Sequence, residues 1–377
     1  MASVKIRTTH TGSLPRSNDV LTLLRARDDR ALGNVTEFEQ KVRAAVAATV
    51  RQQANIGLDI VNDGEVSKIG YANYIKERLS GFDGISGFVG STEAKDFPEF
   101  FMAMGQKDSV RSIKIPACTG PIAWKDKDAV LTDIDNLKEA KAVAKVADVF
   151  MSAVSPGVVT MFMDNKYYAS DEAYLEALVT VMRDEYQAIT NAGFILQLDC
   201  PDLAGGRHSR FGLLDTPSFL KRIGLHIDAI NEAVRGIPPE RIRLHLCWGN
   251  YPGPHHCDIP LQDIIQSVFR ANAAGISFEG ANPRHEHEWA IFRDIKLPAG
   301  KYLIPGVIDS TTNYIEHPEL VAQRLERYAK LVGPENVVGS TDCGLETFAG
   351  AAHVQSKIAW AKLASLVAGA AMASRRL

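Results

Sequence analysis

The sequence predicts an α/β fold, a (β/α)8 (TIM) barrel, on three observations. Eight short apolar runs alternate strictly with longer amphipathic ones, the order that builds a parallel sheet and, at eight units, closes it. Residues able to do chemistry gather where those runs end: His10 and Ser13, Asp63 and Glu65, Cys118, Asp199, His245 and Cys247, Glu279, Asp309 and Cys343. In a barrel all such ends share one face. No G-x-G-x-x-G or G-x-x-x-x-G-K follows the first run, which argues against an open, nucleotide-binding sheet.

The first predicted strand, Val4–Thr9, leads into His10-Thr11-Gly12-Ser13-Leu14-Pro15-Arg16. Alanines and valines at 3–4 spacing predict a helix over 36–56 that stops before Gly57. Leu58–Asn62 is the second strand and Ser112–Cys118 the third, with helices over 135–154 and 171–191 after it. Phe194–Asp199 is the fourth. A helix over 217–235 is stopped by Gly236 and two prolines, and residues 241–247 form the fifth strand. A helix over 260–274, then Ile276–Phe278, Tyr302–Ile308, a helix over 316–332, Asn336–Ser340 and an alanine-rich helix over 354–374 complete the order. One barrel spanning 1–377 accounts for the length, with the glycine-rich, irregular stretch 80–108 as a lid or insertion.

Composition narrows the function. The net charge is 42 − 45 = −3 with no run of one sign, which excludes nucleic acid and anionic membrane as expected partners. No stretch of ~18 apolar residues occurs and MASVKIRTTHTGS has no apolar signal core, so a cytoplasmic protein is expected. The five cysteines are scattered and odd in number, which in a reducing compartment favours metal binding, catalysis or burial over disulfides. A homo-oligomer is compatible with all of this.

His245-Leu246-Cys247 is the most suggestive stretch. Residues two apart on a strand face the same side, so an imidazole and a thiolate would stand together, a pair suited to zinc. Taken alone, the pair reads more readily as a core histidine beside a buried cysteine. Cys343 and Glu279, at two other strand ends, complete a tetrahedral set of one nitrogen, two sulfurs and one carboxylate. His255, His256 and Cys257 in the following Pro-Gly-Pro loop are competing ligands.

With those residues in place, the chain resembles the catalytic half of cobalamin-independent methionine synthase, a fold shared with uroporphyrinogen decarboxylase. The marks are Thr9 to Arg16, Asn62-Asp63-Gly64-Glu65, Gly120-Pro121, Gln197-Leu198-Asp199, His245-Leu246-Cys247, Ile276-Ser277-Phe278-Glu279, Pro305 to Asp309 and Thr341-Asp342-Cys343-Gly344-Leu345. The resemblance implies a catalytic zinc on His245, Cys247 and Cys343, with Glu279 as an exchangeable fourth ligand. It also implies that Ser13, Glu65 and Asp199 hold the amino acid of homocysteine. Without a substrate those three would be a turn residue, a solvated loop charge and a loop anchor.

Departures from the family pattern shift the expectation. Arg243 stands where the family has a further histidine, and Asp309-Ser310-Thr311 replaces the Asp-Ile-His whose histidine protonates the folate leaving group. A folate donor needs that acid. Cys247 to Tyr251, Ala281 to His287 and Leu303 to Asp309 are similar to epoxyalkane:coenzyme M transferase. The leading expectation is therefore a lyase-class, zinc-dependent alkyltransferase in which coenzyme M thiolate opens an epoxide. Methyl transfer to homocysteine from a methylcorrinoid is the alternative. The catalytic candidates are Glu279, His10 and Asp309, with Tyr71, Tyr74 and Arg207 as further proton donors. Lys68, then Arg16, would face the sulfonate, although a loop lysine is ordinarily exposed. A metal-free barrel related to porphyrinogen decarboxylase is the third reading.

Overall fold

The computed structural model describes residues 5–87, 90–107 and 115–377. Its strands in chain order are β1 Arg7–Thr8, β2 Ile60–Val61, β3 Phe82–Asp83, β4 Ala117–Cys118, β5 Asp148–Val154, β6 Ile195–Asp199, β7 Ile242–His245, β8 Gly275–Phe278, β9 Tyr302–Ile308 and β10 Val338–Thr341. Eight of them form one parallel sheet in the order β1-β10-β9-β8-β7-β6-β5-β2. Its two ends are joined mainly through Asp59. The Asp59 amide donates to Thr8 O (3.2 Å), the Thr8 amide donates to Asp59 Oδ2 (2.9 Å), and Thr9 Oγ1 donates to Ile60 O (3.0 Å). The barrel is nearly closed, as expected.

The identity of the third strand is a correction. Ala117–Cys118 pairs antiparallel with Phe82–Asp83 outside the barrel, and residues 112–114 lie outside the described residues. The barrel's third strand is Asp148–Val154, which the sequence reading had folded into a helix over 135–154. That helix ends at Val143. Val149-Phe150-Met151-Ser152-Ala153-Val154 carries apolar residues on both sides of the pleat, with Ser152 the one polar exception, so its period could not be told from the end of a buried helix.

Outside the barrel run α1 Asn18–Asp28, α2 Val35–Ile56, α3 Ile75–Arg78, α4 Pro98–Lys107, α5 Asp128–Val143, α6 Pro156–Phe162, α7 Asp171–Asn191, α8 Thr216–Ala233, α9 Leu261–Val268, α10 Pro318–Val332 and α11 Ser356–Arg376. Local chemistry sets their ends. Asn34 accepts from the Glu37 amide to cap α2, Ser170 accepts from the Ala173 amide to cap α7, and Gly57 (φ 95°) closes α2. Among the described residues no helix is long and apolar enough to cross a membrane.

The pleat splits the strand residues into two sets. Leu196, Leu198, Leu244, Leu246, Ile276, Phe278, Leu303 and Val307 belong to the core shared with the helices. Ile60, Phe150, Ile195, Ile304 and Val338 form a separate cluster that is the floor of the barrel. Above that floor the interior turns polar. Arg243, fully buried, lies 3.6 Å over the Phe150 ring and donates to Gln197 Oε1, Thr9 Oγ1 and His10 O. One step further along the same faces are Asp199, on β6, and His245, on β7, in register with each other. The barrel thus runs from apolar floor to polar mouth, and the mouth is where the chemistry gathers.

Candidate metal centre

β7 delivers His245, and Cys247 follows two residues on, while the Leu246 amide still donates to Ser277 O across to β8 (2.8 Å). Cys343 follows β10. The ligand atoms of His245, Cys247 and Cys343 lie within 4.8 Å of one another, and all three residues are buried. The Cys247 and Cys343 sulfurs are 3.7 Å apart. Two sulfurs on one tetrahedral zinc stand about 3.8 Å apart, given Zn–S near 2.3 Å. Neither nitrogen of the His245 ring has a hydrogen-bond partner among the described residues. Burial, with Arg243 beneath, pushes that imidazole down to about 3, so it is a neutral ligand. The Cys247 thiol is pushed well up, first by its hydrogen bond to Cys343 and then by burial. A buried orphan imidazole facing two thiols is a donor set that a zinc ion fits.

Glu279 is close by but outside that cluster. Its Oε1 accepts from the Trp248 amide and its Oε2 from Asn282 Nδ2, both at 2.8 Å, and burial raises its carboxyl. Asp342, passed over by the sequence reading, holds this region together. It accepts from the amides of Gly280, Ala281 and Asn282 at 2.8–2.9 Å, tying the turn after β8 to the residue before Cys343. A Cβ on Gly306 would stand 2.1 Å from Asp342 Oδ1, so only glycine lets the β9 backbone pass. Asn250 links two more loops, donating to Gly344 O (2.9 Å) and accepting from Ser310 Oγ (2.8 Å).

Ser13, Glu65 and Asp199 converge beside the centre. The Ser13 carbonyl accepts from the Leu345 amide (2.8 Å), and a Cβ on Gly344 would come within 2.0 Å of Ser13 Oγ. Glu65 adopts φ 55°, rare for a side-chain-bearing residue, with its amide on Asp63 Oδ1 and its carbonyl accepting from Arg16 Nη2. Ser152 Oγ donates to its Oε1 (2.7 Å), and Oε2 is buried without a partner among the described residues. Asp199 accepts from Gln197 Nε2 (2.8 Å). Burial, then the charge of Glu65, pushes its carboxyl up to about 8. Sequence reasoning missed Ser152 and gave Gln197 and Asp342, both within its motifs, no role of their own, because each acts through a neighbour.

Other expected residues have different partners. His10 turns away from a proton-donor role: its Nε2 pairs with Gln53 Oε1 (2.8 Å), and burial pushes the ring down to about 3. Asp309 accepts from the amide and hydroxyl of Thr311 and from Thr312 Oγ1, all at 2.8 Å, and so caps its own turn. Lys68 is not a loop lysine in solvent. It is 3% exposed, donates to Ser152 O (2.6 Å) and lies 4.3 Å over the Tyr74 ring. Arg16 is spent on the carbonyls of Glu65, Lys68 and Glu346. Tyr74 bonds Glu185 and the Val154 amide, and Arg207 reaches Gly212 O, whereas Tyr71 lies in the field of Cys247, Cys343 and Asp199. His255 is committed to Asp258 and Tyr251 O, and His256 and Cys257 face Glu93, so this trio does not compete for the centre.

Asp258 fastens the loop after β7. Its Oδ2 meets His255 Nδ1 (2.8 Å) and His285 Nε2 (3.0 Å), and His208 Nδ1 lies 2.7 Å from Oδ1. Burial alone would lower His285, but hydrogen bonds to Asp258 and Glu288 outweigh it and raise the ring to about 10. A histidine raised in the folded state contributes stability that is full below its unfolded value of about 6.5 and is lost as pH rises through about 10. Asp258→Asn is therefore expected to destabilise the protein strongly at pH 6.5 and much less at pH 10. Urea unfolding at the two values checks this, and an equal gap at both would refute it.

Comparisons with known proteins place the chain by family and by fold. A family model described as "Cobalamin-independent synthase, Catalytic domain" matches residues 6–95 and 101–366. The methionine synthase of Thermococcus kodakarensis is 25% identical over 374 residues, covering 97% of this chain and 93% of that protein. The methionine synthase of Sulfolobus acidocaldarius is 24% identical over 365 residues, covering 96% and 90%. In fold, the chain is similar to a B12-independent methionine synthase from Shewanella sp. W3-18-1, solved with selenomethionine. The TM-score is 0.72 at 19% identity, with 99% of both chains covered. With its family model spanning most of its length, the chain belongs to the cobalamin-independent synthase catalytic-domain family.

Proposed function

We propose that the protein is a zinc-dependent thiol methyltransferase that methylates homocysteine from a donor whose leaving group needs no proton, such as a methylcorrinoid. The observation that carries this reading is the acidic pair beside the thiol centre. Glu65 presents a buried, unpartnered Oε2, and its charge helps to raise Asp199. Two neighbouring buried carboxylates, one with an oxygen left to accept a hydrogen bond, suit an ammonium group. Homocysteine carries one, and coenzyme M does not.

His245, Cys247 and Cys343 would hold the zinc, with Glu279 assigned to the exchangeable fourth position. A zinc ion bound there supplies a Lewis acid that lowers the pKa of the substrate thiol and presents it as a thiolate. The chain's own residues do the rest. Glu65 and Asp199 bind the ammonium, and Ser13, packed against Gly344, fixes the amino acid relative to Cys343. Trp248 and Asn282 orient Glu279. His10 and Asp309 act as supports for Gln53 and the 309–312 turn, and no residue on that turn is a proton donor of histidine's strength.

The epoxide-opening reading with coenzyme M is weakened at one point. A sulfonate would meet Glu65 and Asp199, while Lys68 and Arg16 already serve backbone carbonyls. The two readings are separated by assaying homocysteine with methylcobalamin against coenzyme M with epoxypropane. Turnover is expected in the first mixture, and none with methyltetrahydrofolate. Turnover in the second mixture alone would overturn the proposal.

A further inference from the structure

We propose that Glu93, His256 and Cys257 form a second metal site, for a borderline divalent ion such as zinc, that pins the 91–107 segment to the loop after β7. One carboxylate oxygen, one ring nitrogen and one sulfur here lie within 4.8 Å of one another. None of the three residues belongs to the His245-Cys247-Cys343 centre. Nitrogen, sulfur and carboxylate together suit zinc better than calcium or magnesium, which take oxygen.

The two oxygens of Glu93 are unequally served. The residue is fully buried, and Oε2 accepts from the Tyr251 hydroxyl and from Ser91 Oγ (3.2 Å). Among the described residues Oε1 has only long contacts, with the Cys257 amide at 3.4 Å and His256 Nδ1 at 3.5 Å. A buried carboxylate oxygen with no short partner is a position that a cation would improve. The second observation concerns the far side of His256. Its Nε2 lies 2.9 Å from Asp96 Oδ2, leaving Nδ1 turned toward Glu93. A carboxylate on the outer nitrogen is the arrangement that orients a metal-binding imidazole and fixes its tautomer. Phe97 packs edge-on against the same ring, with centroids 5.2 Å apart.

The placement gives the ion a structural task. Glu93 and Asp96 come from the irregular stretch ahead of α4, while His256 and Cys257 end the loop that begins just after Cys247. Among the described residues, the other bonds that fasten that stretch include the Thr92 amide on His208 O (2.7 Å) and the Tyr251 hydroxyl on Glu93. An ion held by both segments would brace a flap over the loops that follow β6 and β7. Only one thiolate contributes and His256 is partly exposed, so this site should release its ion before the buried two-thiolate centre does.

The test uses the full-length protein, stripped with a strong chelator and titrated with Zn2+ against a chromophoric chelator, and with Co2+ followed by thiolate charge-transfer absorption. The expected result is about two equivalents in the wild type, a tight one and a weaker one, falling to about one in both Cys257→Ser and His256→Ala. Protection of the 91–107 segment from limited proteolysis should appear with the second equivalent and be lost in both variants. A wild type that binds about one equivalent overturns the proposal, and so does a second equivalent that survives in both variants. If one variant fails to fold, the other and the wild-type titration still decide.

Discussion

Replacing Cys343 or Cys247 by alanine is expected to abolish tight zinc binding and to lower methyl transfer by at least about 10³-fold. Loss of an outer-shell partner already costs a metal site about 10–100-fold, and these cysteines are proposed as inner ligands. His245, the remaining thiol and Glu279 would be left, one thiolate short of the proposed tetrahedral set and with its exchangeable position no longer spare. The scaffold should survive, since trimming a buried cysteine side chain to a methyl is a small change in volume, worth about 1 kcal/mol. Circular dichroism then separates a folded, metal-free variant from a collapsed one. Zinc binding must also displace thiol protons, and the Cys247 proton is held unusually firmly because Cys343 and burial both oppose its loss. Wild-type affinity should therefore rise steeply with pH, and the single-cysteine variants should show a shallower slope. Competition titrations at pH 6.5 and 8 measure both. Metal-free protein as isolated, still active under chelator, would end the zinc assignment.

How far the sequence alone reaches is clearest at the centre itself. His245-Leu246-Cys247 was legible because a strand has a period of two and the alternating leucines fix which face is which. Cys343, Glu65 and Asp199 were legible because a barrel sends every strand end to one mouth. The third strand was not, since Asp148–Val154 is mostly apolar on both faces and the alternating run that ends in β4 looked like a strand in its place. Lys68 was misjudged for a different reason. Its burial depends on Ser152, which approaches from a distant strand, and on the Tyr74 ring folding back over it, neither of which the residue types around 68 announce. Asp342 and Gln197 likewise act by holding other loops and carboxylates. Position along a strand can be read from pattern, whereas partnership between loops needs the folded geometry.

The second large effect is expected at the acidic pair. Glu65→Gln and Asp199→Asn should each raise KM for homocysteine by about 10²-fold with a smaller change in kcat, because a hydrogen bond to a buried charge is worth about 2–3 kcal/mol. The decisive control is 4-mercaptobutyrate, which keeps the thiol and carboxylate of homocysteine but lacks its amine. Wild-type enzyme should lose with this thiol what the variants lose with homocysteine, and the variants should lose little more, as a double-mutant cycle requires of a direct contact. The pair also sets a pH dependence. With Asp199 raised to about 8, first by burial and then by Glu65, the empty site carries a proton at neutral pH that an incoming ammonium must displace. KM for homocysteine should therefore fall as pH rises toward 8 in the wild type, and Asp199→Asn should flatten that slope. A structural role alone would raise KM for both thiols equally and leave the slope in place, and that outcome would remove Glu65 and Asp199 from the binding site.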